Sequence, residues 1–165
     1  MMKILASTPI LVLSLLATLG VGASFQTVMA AAGEPLLDFL MSGAAASERL
    51  DAMSNEAKTA HFWGTVLNDT AYPLAYGALF AGLAFRFGSQ RILYGLPALT
   101  AVVLDLAENT VQALALSGTV DVLWLKSGLT PLKFGMVALA AGLALILIAR
   151  AVWREMIVKR GNADV

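Results

Sequence analysis

The chain contains no cysteine, which excludes disulfides, thiolate metal sites and iron–sulfur ligation and removes the best-known covalent nucleophile. Histidine occurs once, as His61, so a Cys/His metal cluster is excluded too. Charged residues make up 13% of the 165 positions, about half of ordinary usage. Basic and acidic side chains number 11 each, and a net charge of zero gives no electrostatic reason to expect a nucleic-acid partner. P-loop, Rossmann, zinc-protease and serine-nucleophile signatures are missing. Short alternating segments of the kind that build a β-barrel are missing as well. What fills the sequence is apolar: 59% of residues are hydrophobic and the mean hydropathy is +0.79.

Long apolar stretches recur at Ile4 to Val21, Thr65 to Phe85, Ile92 to Leu116 and Leu132 to Trp153. Each is near the roughly 20 residues that cross a hydrocarbon core as helix. The expected fold is all-α: a single membrane domain over 1–165, a transmembrane four-helix bundle with spans about 4–22, 64–85, 92–116 and 131–153 and a short interfacial outer segment, 23–62. Lys3, Arg86, Arg91, Arg150, Arg154, Lys159 and Arg160 fall on one side of alternating spans, and Arg49, Lys58, Lys126 and Lys133 on the other. The richer side is expected in the cytoplasm, which places both termini inside and the protein in the cell (inner) membrane. Trp63 and Trp124 then mark the outer boundary, and Tyr94 and Trp153 the inner one. Lys3, the apolar run after it and Val28-Met29-Ala30 also read as a secretory signal with a small-residue cleavage site. The run of about 18 residues favours a retained helix, since a signal core spans roughly 7 to 15; Ser14, Thr18 and Gly22 give that helix a packing face.

Between the first two spans, Pro35 to Met41 is apolar enough to dip into the interface. Leu50, Met53 and Ala57 recur at helical spacing, which predicts one surface helix over Ala46 to Ala60. Gly88, Ser89 and Gln90 predict a tight inner turn that makes spans two and three antiparallel neighbours. Gly118 to Pro131 returns the chain to span four, with a short interfacial piece at Val120 to Leu125. Ala78 with Gly82, and Ala138 with Gly142, fit the small-x-x-x-small pattern of close helix approach.

Two polar stripes interrupt the apolar spans. Asp105, Glu108, Asn109 and Gln112 occupy an arc of roughly 100° on span three, and His61, Thr65, Asp69, Tyr72 and Tyr76 an arc of about 80° on span two, flanked by Asn68. Pro73 removes a backbone donor and is expected to kink span two, freeing the carbonyl near Asp69 for a hydrogen bond or a cation. At 1.5 Å per residue, Asp69 lies about 9 Å below Trp63, and Glu108 and Asp105 roughly 12 and 17 Å below Leu116. Both stripes therefore belong to the outer half and are expected to face one outward-facing pocket between spans two and three. Ionisable groups in hydrocarbon mark such interiors by default. Asp105 and Glu108 are one turn apart, so one of them is expected to hold a proton. Lys133 is a candidate counter-charge for Glu108, and snorkelling to the headgroups is its alternative fate. His61 is either an accessory proton or metal group or a boundary residue.

The patterns Asp69-x-x-Tyr72-Pro73-x-x-Tyr76 and Asp105-x-x-Glu108-Asn109 resemble those of small, functionally uncharacterised bacterial membrane proteins with four predicted spans. That resemblance runs from the outer segment through span three and implies the four-span layout, with no activity attached. A looser likeness is to emopamil-binding-type sterol isomerase domains, which hold acids, Asn and His in a membrane pocket for a lipidic substrate. Their motif spacing is not reproduced, and no residue is carried over.

Three functions are therefore expected of the stripes. The first is a pocket that binds or passes a proton, cation or small amphiphile, built on Asp69, Asp105, Glu108, Asn109, Tyr72, Tyr76 and Gln112. The second is a membrane enzyme in which Glu108 or Asp105 works as acid and base, oriented by Asn109 and Tyr72. The third is structural: polar glue within the bundle, or assembly with membrane lipids, a second copy or another membrane protein. Neither a cofactor nor a metal is specified.

Overall fold

The computed structural model describes residues 2–89 and 91–161, with side chains through Ile157. All regular structure among them is helical. After a single turn, α1 (Met2–Leu5), Ser7 and Pro9 start the long α2 (Thr8–Ala32); proline suits this first turn because its missing N–H would have no helical acceptor there. Gly33 ends α2 with a φ of +77°, a left-handed value that favours glycine. Arg49 reaches back to this end: Nη2 donates to the Ala32 carbonyl at 3.1 Å and Nε to that of Pro35 at 3.0 Å, satisfying a terminal helix acceptor.

The outer segment departs from the expected single surface helix. It forms α3 (Gly43–Asp51) and α4 (Asn55–Gly64), with Ser42 and Ser54 accepting from the Ala45 and Ala57 amides. The break falls at Ser54 because a serine hydroxyl competes for backbone donors and starts a helix more readily than it continues one. Pro35 to Met41 does not simply dip into the interface either. A 3₁₀ turn at Leu37–Phe39 drives Leu36 and Leu37 into full burial while Phe39 and Met41 stay exposed. Leu36 and Leu37 pack with Ala32, Met53, Leu116 and Leu123, so this segment plugs the end of the bundle at which α2 and α6 finish.

From α4 the chain continues without a break through a π-helical turn, Thr65–Asp69, into α5 (Thr70–Phe87). The disturbance expected at Pro73 is thus taken up one turn upstream by the wider π spacing, a usual way to absorb a missing helical hydrogen bond. α5 then turns at Gly88 and Ser89; Gln90, the last residue of the expected tight turn, lies outside the described residues. α6 (Ile92–Leu116) runs back antiparallel to α5, and a 3₁₀ turn at Leu123–Leu125 leads into α7 (Lys126–Gly161). α5 packs on α2, α6 and α7, and α6 on α7, whereas α2 and α7 scarcely touch.

Among the described residues, three stretches are long and apolar enough to cross a membrane: Thr8–Ala32, Ile92–Leu116 and Leu123–Ile157. α5 is tempered by Tyr72, Pro73, Tyr76 and Arg86. Leucines on the outer faces of α2 and α7, such as Leu13, Leu16, Leu139 and Leu145, are exposed, while carboxylates and lysines are buried. This is the reverse of a water-soluble bundle and fits a lipid exterior. Close helix approach occurs at Gly82, where an added Cβ would lie 2.5 Å from the Leu5 carbonyl oxygen, and at Gly77 and Gly95 between α5 and α6. Gly142 differs from the expectation: with Gly128 and Gly135 it lies on a face of α7 where a Cβ would meet nothing.

Candidate functional site: a buried carboxylate–lysine cluster beside an open cleft

The polar stripe of α6 is buried along its length: Asp105, Glu108, Asn109 and Gln112 are each at most 7% exposed. It faces α5, α7 and the outer plug, so each member meets a different element. Glu108 Oε1 accepts from Lys126 Nζ and from Thr130 Oγ1 at 2.6 Å, and Oε2 lies 2.7 Å from Lys133 Nζ. One step inward, Asp105 Oδ2 accepts from the Tyr76 hydroxyl at 2.8 Å, and Oδ1 lies 3.3 Å from Lys133 Nζ. Towards the outer end, Gln112 Nε2 donates to Asp38 Oδ1 at 2.8 Å. Removing an ion from water costs several kcal/mol even after relaxation, and only well-placed partners offset it. Glu108 has three.

Lys133 therefore takes the inward of its two expected fates and bridges Asp105 and Glu108. Two ammonium groups, Lys126 and Lys133, thus lie beside these two carboxylates. Lys126, Thr130 and Asp38 were not among the expected site residues. Lys126, expected in the connection that returns the chain to span four, is instead fully buried. A signal for it exists in the sequence: Lys126, Thr130, Lys133, Ala140, Ala144 and Leu147 follow 4–3 helical spacing and are all buried on one face of α7. Asp38 carried a weaker one, a single acid following two leucines and preceding a phenylalanine in an outer segment.

On span two the proline has the consequence its chemistry requires. The Asp69 carbonyl, which would accept from residue 73 in an uninterrupted helix, accepts from Asn109 Nδ2 at 2.6 Å. The Asp69 side chain lines the same cavity as Asp38. Asn68 leaves the site and donates to Ser24 Oγ on α2 at 2.6 Å. His61 is fully enclosed by the plug: Nε2 accepts from the Leu37 amide at 2.9 Å, and Nδ1 lies 3.2 Å from Thr65 Oγ1. An acceptor Nε2 means a neutral ring with its proton on Nδ1, and burial pushes the imidazole pKa below its ordinary 6.5. His61 thus fastens the plug and is not a boundary residue.

A cavity of about 470 Å³ opens beside the cluster, between α2 and α7. Asp38, Asp69, Asp105 and Lys133 form its polar floor, and Phe25, Met29, Tyr72, Tyr76, Phe80 and Phe134 are among its walls. Phe25, Tyr72 and Tyr76 stack edge to face in sequence at 5.6 and 5.4 Å. Of the expected pocket residues, Asp69, Asp105, Tyr72 and Tyr76 line this space, while Glu108, Asn109 and Gln112 lie behind it as support. The pocket is also wider than a cleft between spans two and three, because α2, α7 and the plug complete it. Asp38 Oδ2 is buried and has no hydrogen-bond partner among the described residues. No group of three or more His, Asp or Glu side chains that could hold a metal ion occurs among them.

The class defined by this arrangement is a helical bundle with a lipid-type exterior and an ion-paired interior. No family model, curated protein or solved structure matches the chain.

Proposed function

We propose that this protein is a four-span inner-membrane protein with cytoplasmic termini whose outer-leaflet pocket binds a small amphiphile carrying a cationic head. In this reading α5, with the π turn before it, is the remaining span, its polar side turned inward. The observation that carries the proposal is that Asp38 and Asp69 are both buried and both line the cavity floor, with Asp38 Oδ2 left without a hydrogen-bond partner among the described residues. Two like charges on one enclosed floor are relieved by a shared proton or by a cation. The wider count agrees: Asp38, Asp69, Asp105 and Glu108 face only Lys126 and Lys133, and all six are buried. Aromatic walls suit both an apolar tail and an ammonium group, which ring faces attract. The gap between α2 and α7 gives such a molecule a route from the bilayer.

The enzyme reading is weaker, because Glu108 is enclosed by three partners and does not line the cavity. Of the two expected acid–base groups, only Asp105 touches this space.

Thermal unfolding of the full chain with dodecylamine and with dodecanoate tests the proposal. The amine should raise the unfolding temperature more than the carboxylate of equal chain length, and Asp69→Asn should reduce that gain. Equal responses to the two head groups, or an amine response unaltered in both Asp38→Asn and Asp69→Asn, would refute it. A constitutive lipid or protein partner would show itself in native mass spectra of the untreated protein.

A further inference from the structure

A second cavity, of about 460 Å³, lies at the opposite end of the bundle between the α5–α6 turn and α7. Arg91, Arg150 and Arg154 line it, together with Gly88, Tyr94 and Leu147. The arginines converge from two elements. Arg91 is the residue that opens α6, and Arg150 and Arg154 stand one turn apart on the facing side of α7. None of the three makes an ion pair among the described residues, and Glu155, the neighbouring acid, does not line the cavity. Arg86, nearby in sequence, is by contrast occupied: Nη1 donates to Thr8 Oγ1 at 2.8 Å, and the guanidinium sits over the Phe87 ring.

An excess of basic residues on the inner side requires only that they lie there. It does not require three of them to share one concavity without a carboxylate, where a seated anion would relieve their mutual repulsion. Guanidinium groups present planar donor forks that match phosphate oxygens in pairs. Depth fits a headgroup as well: the cavity sits level with the start of α6, and the exposed Trp153 beside Arg154 is a side chain of the membrane–water boundary.

We infer that this inner basic cavity is a binding site for a phosphate group, carried either by an anionic phospholipid headgroup of the inner leaflet or by free phosphate. Basic concavities between helices on the cytoplasmic side have the chemistry for such headgroups. The site is separate from the acidic pocket and does not depend on what that pocket binds.

Native mass spectrometry of the full chain with phosphatidylglycerol or phosphatidylcholine of the same acyl chains tests the inference, alongside thermal unfolding with inorganic phosphate. Phosphatidylglycerol should be retained preferentially, and Arg150→Gln and Arg154→Gln should each weaken retention by roughly fivefold. Arg86→Gln and Asp69→Asn should leave it unchanged. Competition by inorganic phosphate identifies a free-anion site, and its failure to compete identifies a lipid site. Equal retention of the two lipids together with no stabilisation by phosphate would overturn the inference, as would an Arg86→Gln effect as large as that of Arg150→Gln. Should the glutamine variants fold poorly, Arg150→Lys with Arg154→Lys keeps the charge and removes the fork. That pair should still lose part of the preference, and full retention by it would count against paired guanidinium recognition.

Discussion

Lys126 and Glu108 form an ion pair in which neither side chain has any exposed surface, joining the first residue of α7 to the middle of α6. Taking either partner away leaves the other charged and enclosed. Glu108→Gln, which leaves Lys126 without an ion-pair partner, should therefore destabilise the fold by about 3–5 kcal/mol, and Lys126→Met by less because Lys133 stays beside Glu108, with a double substitution to apolar residues recovering much of the larger loss. Unfolding by denaturing detergent measures it. Additive losses in the double variant would show that the two groups are not coupled.

The stripe on α6 was legible because 3–4 spacing of Asp105, Glu108, Asn109 and Gln112 leaves little freedom once the segment is helical. The freed Asp69 carbonyl was legible for a similar reason, since proline chemistry is local. Lys126 was not, because its burial depends on how the Gly118 to Leu125 connection reverses, and a lysine next to a loop has solvent as its usual destination. Asp38 was hidden for a related reason. Only the 3₁₀ turn, stabilised by tertiary packing of Leu36 and Leu37, brings it under the outer end of α6.

Asn109 substitutes for the amide that Pro73 lacks. Asn109→Ala should cost about 1–3 kcal/mol, the penalty of a buried acceptor left unmade. In a Pro73→Ala background the restored amide at position 73 can bond to the Asp69 carbonyl itself, so the same asparagine substitution should cost clearly less. A double-mutant cycle by unfolding reads this directly, and identical costs in both backgrounds would refute the substitution.

His61 ties stability to pH. Its folded-state pKa lies below the ordinary 6.5 because burial opposes the charged ring. The unfolded chain therefore binds the proton more readily, so this contribution is complete above about pH 6.5 and is lost as pH falls from there towards the lower folded value. The protection factor of the Leu37 amide, corrected for intrinsic exchange, should fall over that range, and the fall should vanish in His61→Gln. Protection at Leu37 that is flat from pH 7 to 5 would argue against a neutral, accepting Nε2.

Two sets of glycines should respond oppositely to alanine. At Gly95 a Cβ would sit 2.5 Å from the Phe85 ring, and at Gly77 it would sit 2.2 Å from Val102 Cγ2, so alanine there should cost about 1–3 kcal/mol through overpacking. At Gly135, with open space around it, alanine should add up to about 1 kcal/mol of helix propensity. A loss of stability in Gly135→Ala would mean that this face of α7 is in contact with something outside the chain.

In the proposed membrane placement, the parting of α2 and α7 beside the acidic floor turns the pocket's doorway towards the acyl region and not towards solvent. A visitor arriving that way is dosed per lipid, not per litre. Each added methylene then enriches it in the bilayer by about 0.8 kcal/mol before it meets the protein. Comparisons among homologous amines should therefore be made at matched membrane loading, since ranking by aqueous concentration would report greasiness in place of fit.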